Sequence, residues 1–361
     1  MSDRRQWLAK VLTITAMIGT LAVLSVGCGN KTASSAARAR TSEPRALTAV
    51  YIKTAPVMDG RQDEVWSKGV PVTLNLKGDA AVEPKQVTVR ALYTDTEIFL
   101  LASYRDSTPL KLNRGWRYEG GRWVRGSYDD TLAFLWNMND SIKDFNERGF
   151  NVVNAKPGVN DDVYDFKIIR TNEADEAAFA AQQGDLWSWC MVPEYYFRAG
   201  DFVFRAEPKI AGRTREITVQ HDYRPNKAPW FKNEKTVNGI VLPKYMLKPG
   251  LTDTPWPYED EVVEITDSTV FRDGDTAPAM IMKRDVKWGG SKDDVSAKAT
   301  WTVENGWLVE FSRVLNTGWP DDVKFNAADR EVRYTFGTIV RDGGNGYAYG
   351  EPVSLLFAGN K

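Results

Sequence analysis

The chain has 361 residues and a formal net charge of −1. A chain of this length can fold as one large domain or two ordinary ones, and its balanced charge excludes the basic surface by which proteins hold nucleic acid. Its only cysteines, Cys28 and Cys190, exclude a cysteine-based zinc cluster, whereas 13 Trp, 14 Tyr and 15 Phe favour a β-sandwich core or an aromatic ligand cleft.

The N-terminus has the layout of an export signal. A positive flank with Arg4 and Arg5 precedes an apolar run over 11–26, which is shorter than the roughly 20 residues that a membrane span needs. The small residue before Cys28 resembles a bacterial lipoprotein signal, in which the cysteine is lipidated, although Leu24 stands one position from its usual place. The alternatives are an ordinary secretory signal and a retained anchor. Residues 3–8 also resemble a twin-arginine export signal.

The following residues predict a domain tethered to a membrane. Residues 1–28 would be the signal peptide, and residues 29–45 predict a flexible tether because they are rich in small, polar and basic residues without apolar periodicity. Residues 46–361 would form the globular domain. Gly29 directly after the cysteine favours the outer membrane, so we expect a lipid-anchored envelope protein that faces the periplasm.

Strands are predicted along most of the globular part. Residues 131–136 form a mostly apolar run, which is typical of a strand buried on both faces. The other predicted strands alternate apolar and polar residues or flank short polar turns. They are 86–93 paired with 97–104, 299–303 paired with 307–313, 333–340 and 352–357.

One helix is predicted over 173–183, where Ala and Glu are frequent and Gly184 follows. The polar segments 105–128, 141–165 and 222–260 are predicted to be loops between strands. Because the strands do not alternate with helices, the pattern favours an all-β fold, an immunoglobulin- or jelly-roll-like β-sandwich with long inserted loops and one short helix.

The acidic pairs at 129–130, 161–162 and 321–322 have two interpretations. They can be glycosidase-like carboxylates or calcium ligands, or they can cap turns in loops. The sequence contains no Gly-x-Ser-x-Gly, His-Glu-x-x-His or phosphate-binding loop. We therefore predict a binding or electron-transfer protein and no enzyme.

Several short segments resemble segments of two related groups of proteins, and they occur in the same order as in those proteins. Residues 55–60 and 63–66 resemble the opening of family 9 carbohydrate-binding modules and their relatives, which are β-sandwiches. The later segments resemble the haem-binding subunit of ethylbenzene dehydrogenase and of related enzymes of the DMSO-reductase family. These segments are Tyr128–Met138, Gly184–Trp189, Pro243–Met246, Gly306–Leu315 and Asp321–Phe325.

The resemblance implies a non-covalent haem b at one end of the sandwich, which passes electrons to or from a partner redox enzyme. Carried over by position, Met138 and Lys244 would be the axial ligands, and Trp136 and Tyr245 would line the pocket. A lysine ligates only as the neutral amine, so desolvation or the iron itself must lower its pKa. His221, the only histidine, is an alternative ligand.

These residues also have simpler interpretations. Met138 can be a core methionine, Lys244 a surface lysine and His221 a structural histidine. The sequence departs from the family pattern at Ser188 and Cys190, where relatives often have His and Lys. Trp187 and Trp189 flank Ser188 in a strand, so they are predicted to share one face as core or pocket wall.

A second functional hypothesis is a sandwich that binds carbohydrate or another small ligand without haem. Sugar binding needs an exposed aromatic platform, which Trp116, Trp123 and Trp230 in the predicted loops could provide. A third hypothesis is a structural lipoprotein without a ligand.

Overall fold

The computed structural model describes thirteen stretches of the chain. For some strands in these stretches it describes only the backbone. Residues Thr41–Lys361 form one compact unit. Among the described residues, no helix is long and apolar enough to cross a membrane. The described stretches are 45–78, 80–109, 115–126, 130–141, 167–170, 183–190, 200–206, 216–221, 230–251, 257–284, 294–320, 322–343 and 347–359.

Strands are the main regular elements of the described residues. Short 3-10 helices occur at Glu64–Lys68, Met138–Asp140 and Glu259–Glu261. The strands, in chain order, are β1 (Arg45–Tyr51), β2 (Val72–Gly78), β3 (Gln86–Tyr93), β4 (Glu97–Tyr104), β5 (Trp116–Glu119), β6 (Arg122–Arg125), β7 (Thr131–Asn137), β8 (Lys167–Arg170), β9 (Gln183–Cys190), β10 (Gly200–Ala206), β11 (Glu216–His221), β12 (Trp230–Lys232), β13 (Lys235–Val237), β14 (Ile240–Leu242), β15 (Tyr245–Leu247), β16 (Val262–Glu264), β17 (Thr276–Ala277), β18 (Met280–Met282), β19 (Ser296–Thr302), β20 (Gly306–Val314), β21 (Tyr334–Arg341), β22 (Tyr347–Gly350) and β23 (Val353–Phe357).

The large sheet folds into two layers that face each other. One layer has the order β19-β20-β4-β3, and the other has the order β21-β7-β9-β10-β11-β8. Between β3 and β21, the pairs β1–β23 and β2–β22 continue the hydrogen bonding from one layer to the other. The chain is therefore an all-β sandwich, as the sequence predicted.

Aromatic side chains fill the space between the layers. The ring centroids of Phe134 in β7 and Phe311 in β20 are 5.2 Å apart. Those of Trp189 in β9 and Trp307 in β20 are 4.8 Å apart. Such tilted and edge-on pairs add to the stabilisation that burial of the rings already provides. Strand β7 is buried at every residue, as its apolar run predicted.

The opening of the domain is fixed by a buried carboxylate. Glu310 in β20 is fully buried, and it accepts hydrogen bonds from the Trp66 indole at 2.9 Å, the Gly60 amide at 2.7 Å and the Asp59 amide at 3.0 Å. Gly60 has a φ of +77°, and a Cβ there would lie 2.7 Å from the carbonyl carbon of Ala299. These contacts explain why an Asp-Gly turn and a tryptophan stand together at the start of the sandwich.

One part of the secondary structure prediction was wrong. The segments predicted as loops contain short strands, β5 and β6 within 105–128 and β12–β15 within 222–260. These strands have three or four residues, too few for an alternating pattern to stand out. Of the predicted helix, only Gln183 is described, and it begins strand β9. The rest of that helix and the predicted loop after Ser141 lie outside the described residues.

Candidate functional site

Met138 directly follows the buried strand β7 and begins a short 3-10 turn. Its side chain is 4% exposed and belongs to the main hydrophobic core, together with Trp136. The next two residues, Asn139 and Asp140, have φ values of 51° and 50° and are exposed. Two successive non-glycine residues in the left-handed region store backbone strain, and such strain is concentrated at functional sites.

The surroundings of Trp136 are an aromatic wall between the layers. The Trp136 ring centroid lies 5.1 Å from that of Trp187, 5.0 Å from that of Phe325 and 4.8 Å from that of Phe336. Trp187 and Trp189 both belong to this core, which confirms that they share one strand face. This wall and Met138 belong to the same hydrophobic core.

A buried ion pair lies against the same wall. Arg313 donates to Asp185 Oδ2 at 2.7 Å, and its guanidinium carbon lies 4.7 Å from the Trp187 ring centroid. Asp322 lies nearby, and burial, together with the Asp185 carboxylate, raises its pKa to about 8. Beside the wall there are therefore a buried ion pair and a carboxyl group that holds its proton at neutral pH.

Lys244 lies between β14 and β15, and a single asparagine fixes its backbone. Asn233 is fully buried, and its Oδ1 accepts from the amides of Lys244 at 3.1 Å and Tyr245 at 2.8 Å. Its Nδ2 donates to the carbonyls of Tyr245 at 2.8 Å and Pro278 at 2.7 Å. All four hydrogen-bonding positions of the amide are thus used. Asn233 is a positioning residue that the sequence analysis missed, because a lone asparagine gives no periodic or motif signal.

The side chain of Lys244 is held as a cation. Its Nζ lies 5.0 Å from the Tyr245 ring centroid, a cation–π distance. The Tyr245 hydroxyl, through a hydrogen bond and its charge, raises the pKa of Lys244. A metal-ligating lysine must be neutral, so Lys244 would have to leave this contact in order to ligate.

The structure groups the predicted site residues in two places. Met138 and Trp136 lie in the main core, whereas Tyr245 packs on a small separate cluster with Leu247, and Lys244 contacts Tyr245. The backbone of His221 ends β11, and nothing of its side chain is described; Cys28 lies outside the described residues.

The predicted aromatic platform is partly wrong. Trp116 is 4% exposed and contacts the Arg125 guanidinium, so it cannot stack on a ligand from solvent. Trp123 is half-buried and packs edge-on against Tyr118 at 5.3 Å and Phe271 at 5.2 Å. Of Trp230 only the strand position is described.

By these features the protein is classed as an all-β sandwich with an aromatic core. The chain belongs to the ethylbenzene dehydrogenase family, whose profile matches residues 63–345. A search of curated proteins found no match.

Solved structures of low similarity include a family 9 carbohydrate-binding module from Caldicellulosiruptor kristjanssonii. In complex with cellotriose, it is 8% identical, with 88% of this chain and 96% of that chain covered and a TM-score of 0.33. In complex with glucose, it is 8% identical, with 87% and 98% covered and a TM-score of 0.31.

The donor chemistry of the two candidate ligands fits a haem iron. A thioether is an iron donor, and an amine is one when it is neutral. Trp136 is fully buried against the rings of Trp187, Phe325 and Phe336, so a porphyrin edge would have to displace part of this packing. Met138 is already desolvated at 4% exposure. Lys244 is half-buried and charged, and it fits only after its ammonium loses a proton. Met138 and Lys244 as a ligand pair therefore stay a prediction.

Proposed function

We propose that this protein is a haem b-binding, non-catalytic member of the ethylbenzene dehydrogenase family that serves electron transfer. The observation that carries the proposal is the position of Met138 in a protein of this family. The methionine stands where the buried strand β7 ends, against an aromatic wall and before two strained residues. A bound haem would supply a one-electron redox centre.

The protein's own residues would have distinct roles at this site. Met138 would present its sulfur from the end of β7, and Trp136 would exclude water from that side. Lys244 would give up its contact with Tyr245, lose its proton and present a neutral amine. Asn233 would hold the Lys244 backbone in place while the side chain moves.

Haem titration followed by absorption spectroscopy tests this proposal. We expect a sharp Soret band in the wild-type protein and a weaker, shifted band in Met138→Ala and in Lys244→Ala. The matched controls are Met280→Ala in β18, which is half-buried, and Lys248→Ala, which is exposed; both should leave the band unchanged. A titration without saturation, or a band that none of the variants alters, contradicts the proposal.

A partner and a location follow from the same proposal. An electron-transfer protein without catalytic residues needs a redox enzyme as its partner, and the lipoprotein-like signal before Cys28 would anchor it to the periplasmic face of the outer membrane. Cys28→Ser should then release soluble or unprocessed protein. Equal partition of wild type and variant between detergent and water would refute the anchor.

The second candidate function is carbohydrate binding, which one observation favours. Tyr118, Trp123 and Phe271 form a half-exposed aromatic group on the β5–β6 hairpin, with Tyr118 and Phe271 centroids 4.8 Å apart. Aromatic rings of this kind can stack on sugars. Calorimetry with soluble oligosaccharides should then show binding that Trp123→Ala abolishes, and no heat from any sugar would remove this candidate.

A further inference from the structure

Three carboxylates from distant parts of the chain meet at one end of the sandwich. Asp106 lies two residues after β4, Asp130 directly precedes β7, and Asp342 directly follows β21. Strands β7 and β21 pair antiparallel with Thr131 opposite Arg341, so the register itself places Asp130 beside Asp342. One oxygen from each of the three side chains lies within 4.8 Å of the others.

The spacing of these oxygens suits one bound cation. Calcium binds oxygen ligands at about 2.3–2.6 Å, so two ligands of one ion lie at most about 5 Å apart. The group contains only carboxylate donors, which selects a hard cation over zinc or copper. Three direct carboxylates favour calcium over magnesium, because magnesium usually keeps several waters and takes one or two carboxylates.

The burial of Asp106 is an independent sign that this group of carboxylates binds a ligand. Asp106 is 1% exposed, and its Oδ1 accepts from the Thr108 amide at 2.9 Å. Its Oδ2 is buried and receives no hydrogen bond from the described residues. A buried carboxylate oxygen without a donor is costly, and in native proteins such a group usually has an ion or a water as its partner.

Like charges surround Asp106. The carboxylates of Asp130 and Asp342 each bring an oxygen within 4.8 Å of an oxygen of Asp106. Two arrangements can offset the repulsion among these acids, a bound cation or a proton shared between Asp106 and Asp130.

Hydrogen bonds from neighbouring groups hold the three aspartates in place, two of them at a carboxylate oxygen and one at the Asp106 backbone. The Trp307 indole donates to Asp130 Oδ2 at 3.1 Å, and the Glu83 amide donates to Asp342 Oδ2 at 2.7 Å. The Trp301 indole donates to the Asp106 carbonyl at 2.9 Å. Such outer contacts fix a ligand's orientation before the ion arrives.

We propose that Asp106, Asp130 and Asp342 form a calcium site that joins the ends of β4, β7 and β21. The site connects both layers of the sandwich, since β4 belongs to one layer and β7 and β21 to the other. Its role is structural and independent of haem. Bound calcium stabilises the folded protein by mass action, because the unfolded chain does not hold the three carboxylates together.

Calcium titration of the full chain after treatment with a chelator tests the site. We expect calcium to raise the melting temperature and to bind in calorimetry, and Asp342→Asn and Asp106→Asn to weaken binding by about tenfold or more. Asp342 is only partly buried, so its variant keeps the test valid if Asp106→Asn does not fold. Asp267→Asn, at an exposed turn, is the matched control and should bind calcium as the wild type does.

Terbium luminescence gives a second readout that locates the ion. Because Trp301 and Trp307 both donate to members of the site, light absorbed by their indoles should sensitise bound terbium. Calcium should displace this emission, and Asp342→Asn should remove it. A melting temperature that calcium does not change in the wild type, or a calcium affinity in both the Asp342→Asn and the Asp106→Asn variant that equals that of the wild type, overturns the proposal. A calcium-insensitive protein that Asp106→Asn stabilises would show the shared proton instead.

Discussion

Arg313 and Asp185 form an ion pair of 2.7 Å across the two layers, and both side chains are fully buried. Asp185 Oδ2 also accepts from the Val323 amide at 2.9 Å and from the Trp187 indole at 3.3 Å. The guanidinium lies over Trp187, so the pair links strands β9 and β20 to the aromatic wall.

Removing one partner of this pair should be strongly destabilising. Arg313→Leu leaves the Asp185 carboxylate buried without its cation, and breaking such a pair costs about 3–5 kcal/mol. The exposed pair Lys77–Glu351, at 2.6 Å, is the control, and Lys77→Met should leave the free energy of unfolding almost unchanged. Urea unfolding of the two variants measures the difference, and similar losses in both would contradict the prediction.

Stability should fall as the pH rises through neutrality because of Asp322. Its pKa is about 8 in the folded protein, raised by burial and by Asp185, against 3.8 as its ordinary value. The folded state therefore holds a proton that the unfolded chain has released between these two values. The stabilisation that this group contributes is fully present below about pH 4. It is lost between about pH 4 and about pH 8, where the free energy of unfolding falls by at most about 1.4 kcal/mol per pH unit.

Asp322→Asn should flatten this dependence, because the amide is neutral at every pH and can still accept the hydrogen bond from Thr317. Urea unfolding of wild type and variant between pH 5 and 9 measures the free energy of unfolding and tests this prediction. Parallel curves for the two proteins would show that Asp322 does not carry the proton.

Gly60→Ala should be much more destabilising than Gly318→Ala. Both glycines have positive φ, +77° and +85°, so an alanine at either position costs about 1–3 kcal/mol in backbone strain. Only at Gly60 does the new Cβ also meet backbone, 2.7 Å from the Ala299 carbonyl carbon, whereas nothing lies within 4 Å at Gly318. Thermal unfolding should rank the variants in this order, and equal melting temperatures would refute the steric argument.

Asn233→Ala should destabilise the segment that carries Lys244. The change removes four hydrogen bonds of 2.7–3.1 Å and leaves buried backbone groups unpaired, at a cost of about 1–3 kcal/mol for each unpaired group. The exposed Asn316 accepts a single bond from Gly318, and Asn316→Ala is the control. We expect faster amide exchange at Lys244 and Tyr245 in Asn233→Ala; unchanged exchange there would contradict the positioning role.

The long, regular strands were predictable from the sequence, and the positions that depend on distant contacts were not. The alternation over 86–93 predicted β3 at its observed bounds, and the mostly apolar segment 97–104 after the polar turn predicted β4, which is buried on both faces. Strand β5 could not be recognised, since four residues carry no period.

The candidate site residues also differ in how far the sequence predicted them. Met138 was found because it follows the apolar run of β7 and lies in a family-like segment. Asp106, Asp130 and Asp342 are separated by long stretches of chain, and only the pairing of β7 with β21 and the end of β4 bring them together. No local pattern in the sequence encodes that register.

Strand β1 lies between β23 and β3 and is parallel to both. A pull that draws residue 45 away from residue 357 therefore acts along the strands, since the parallel pairing places Arg45 beside Val353 and residue 357 at the other end of the pair. The hydrogen bonds on both sides of β1 then resist in shear, all at once, and do not peel open one after another. The first and last strands of the domain thus form a mechanical clamp where the chain enters the sandwich.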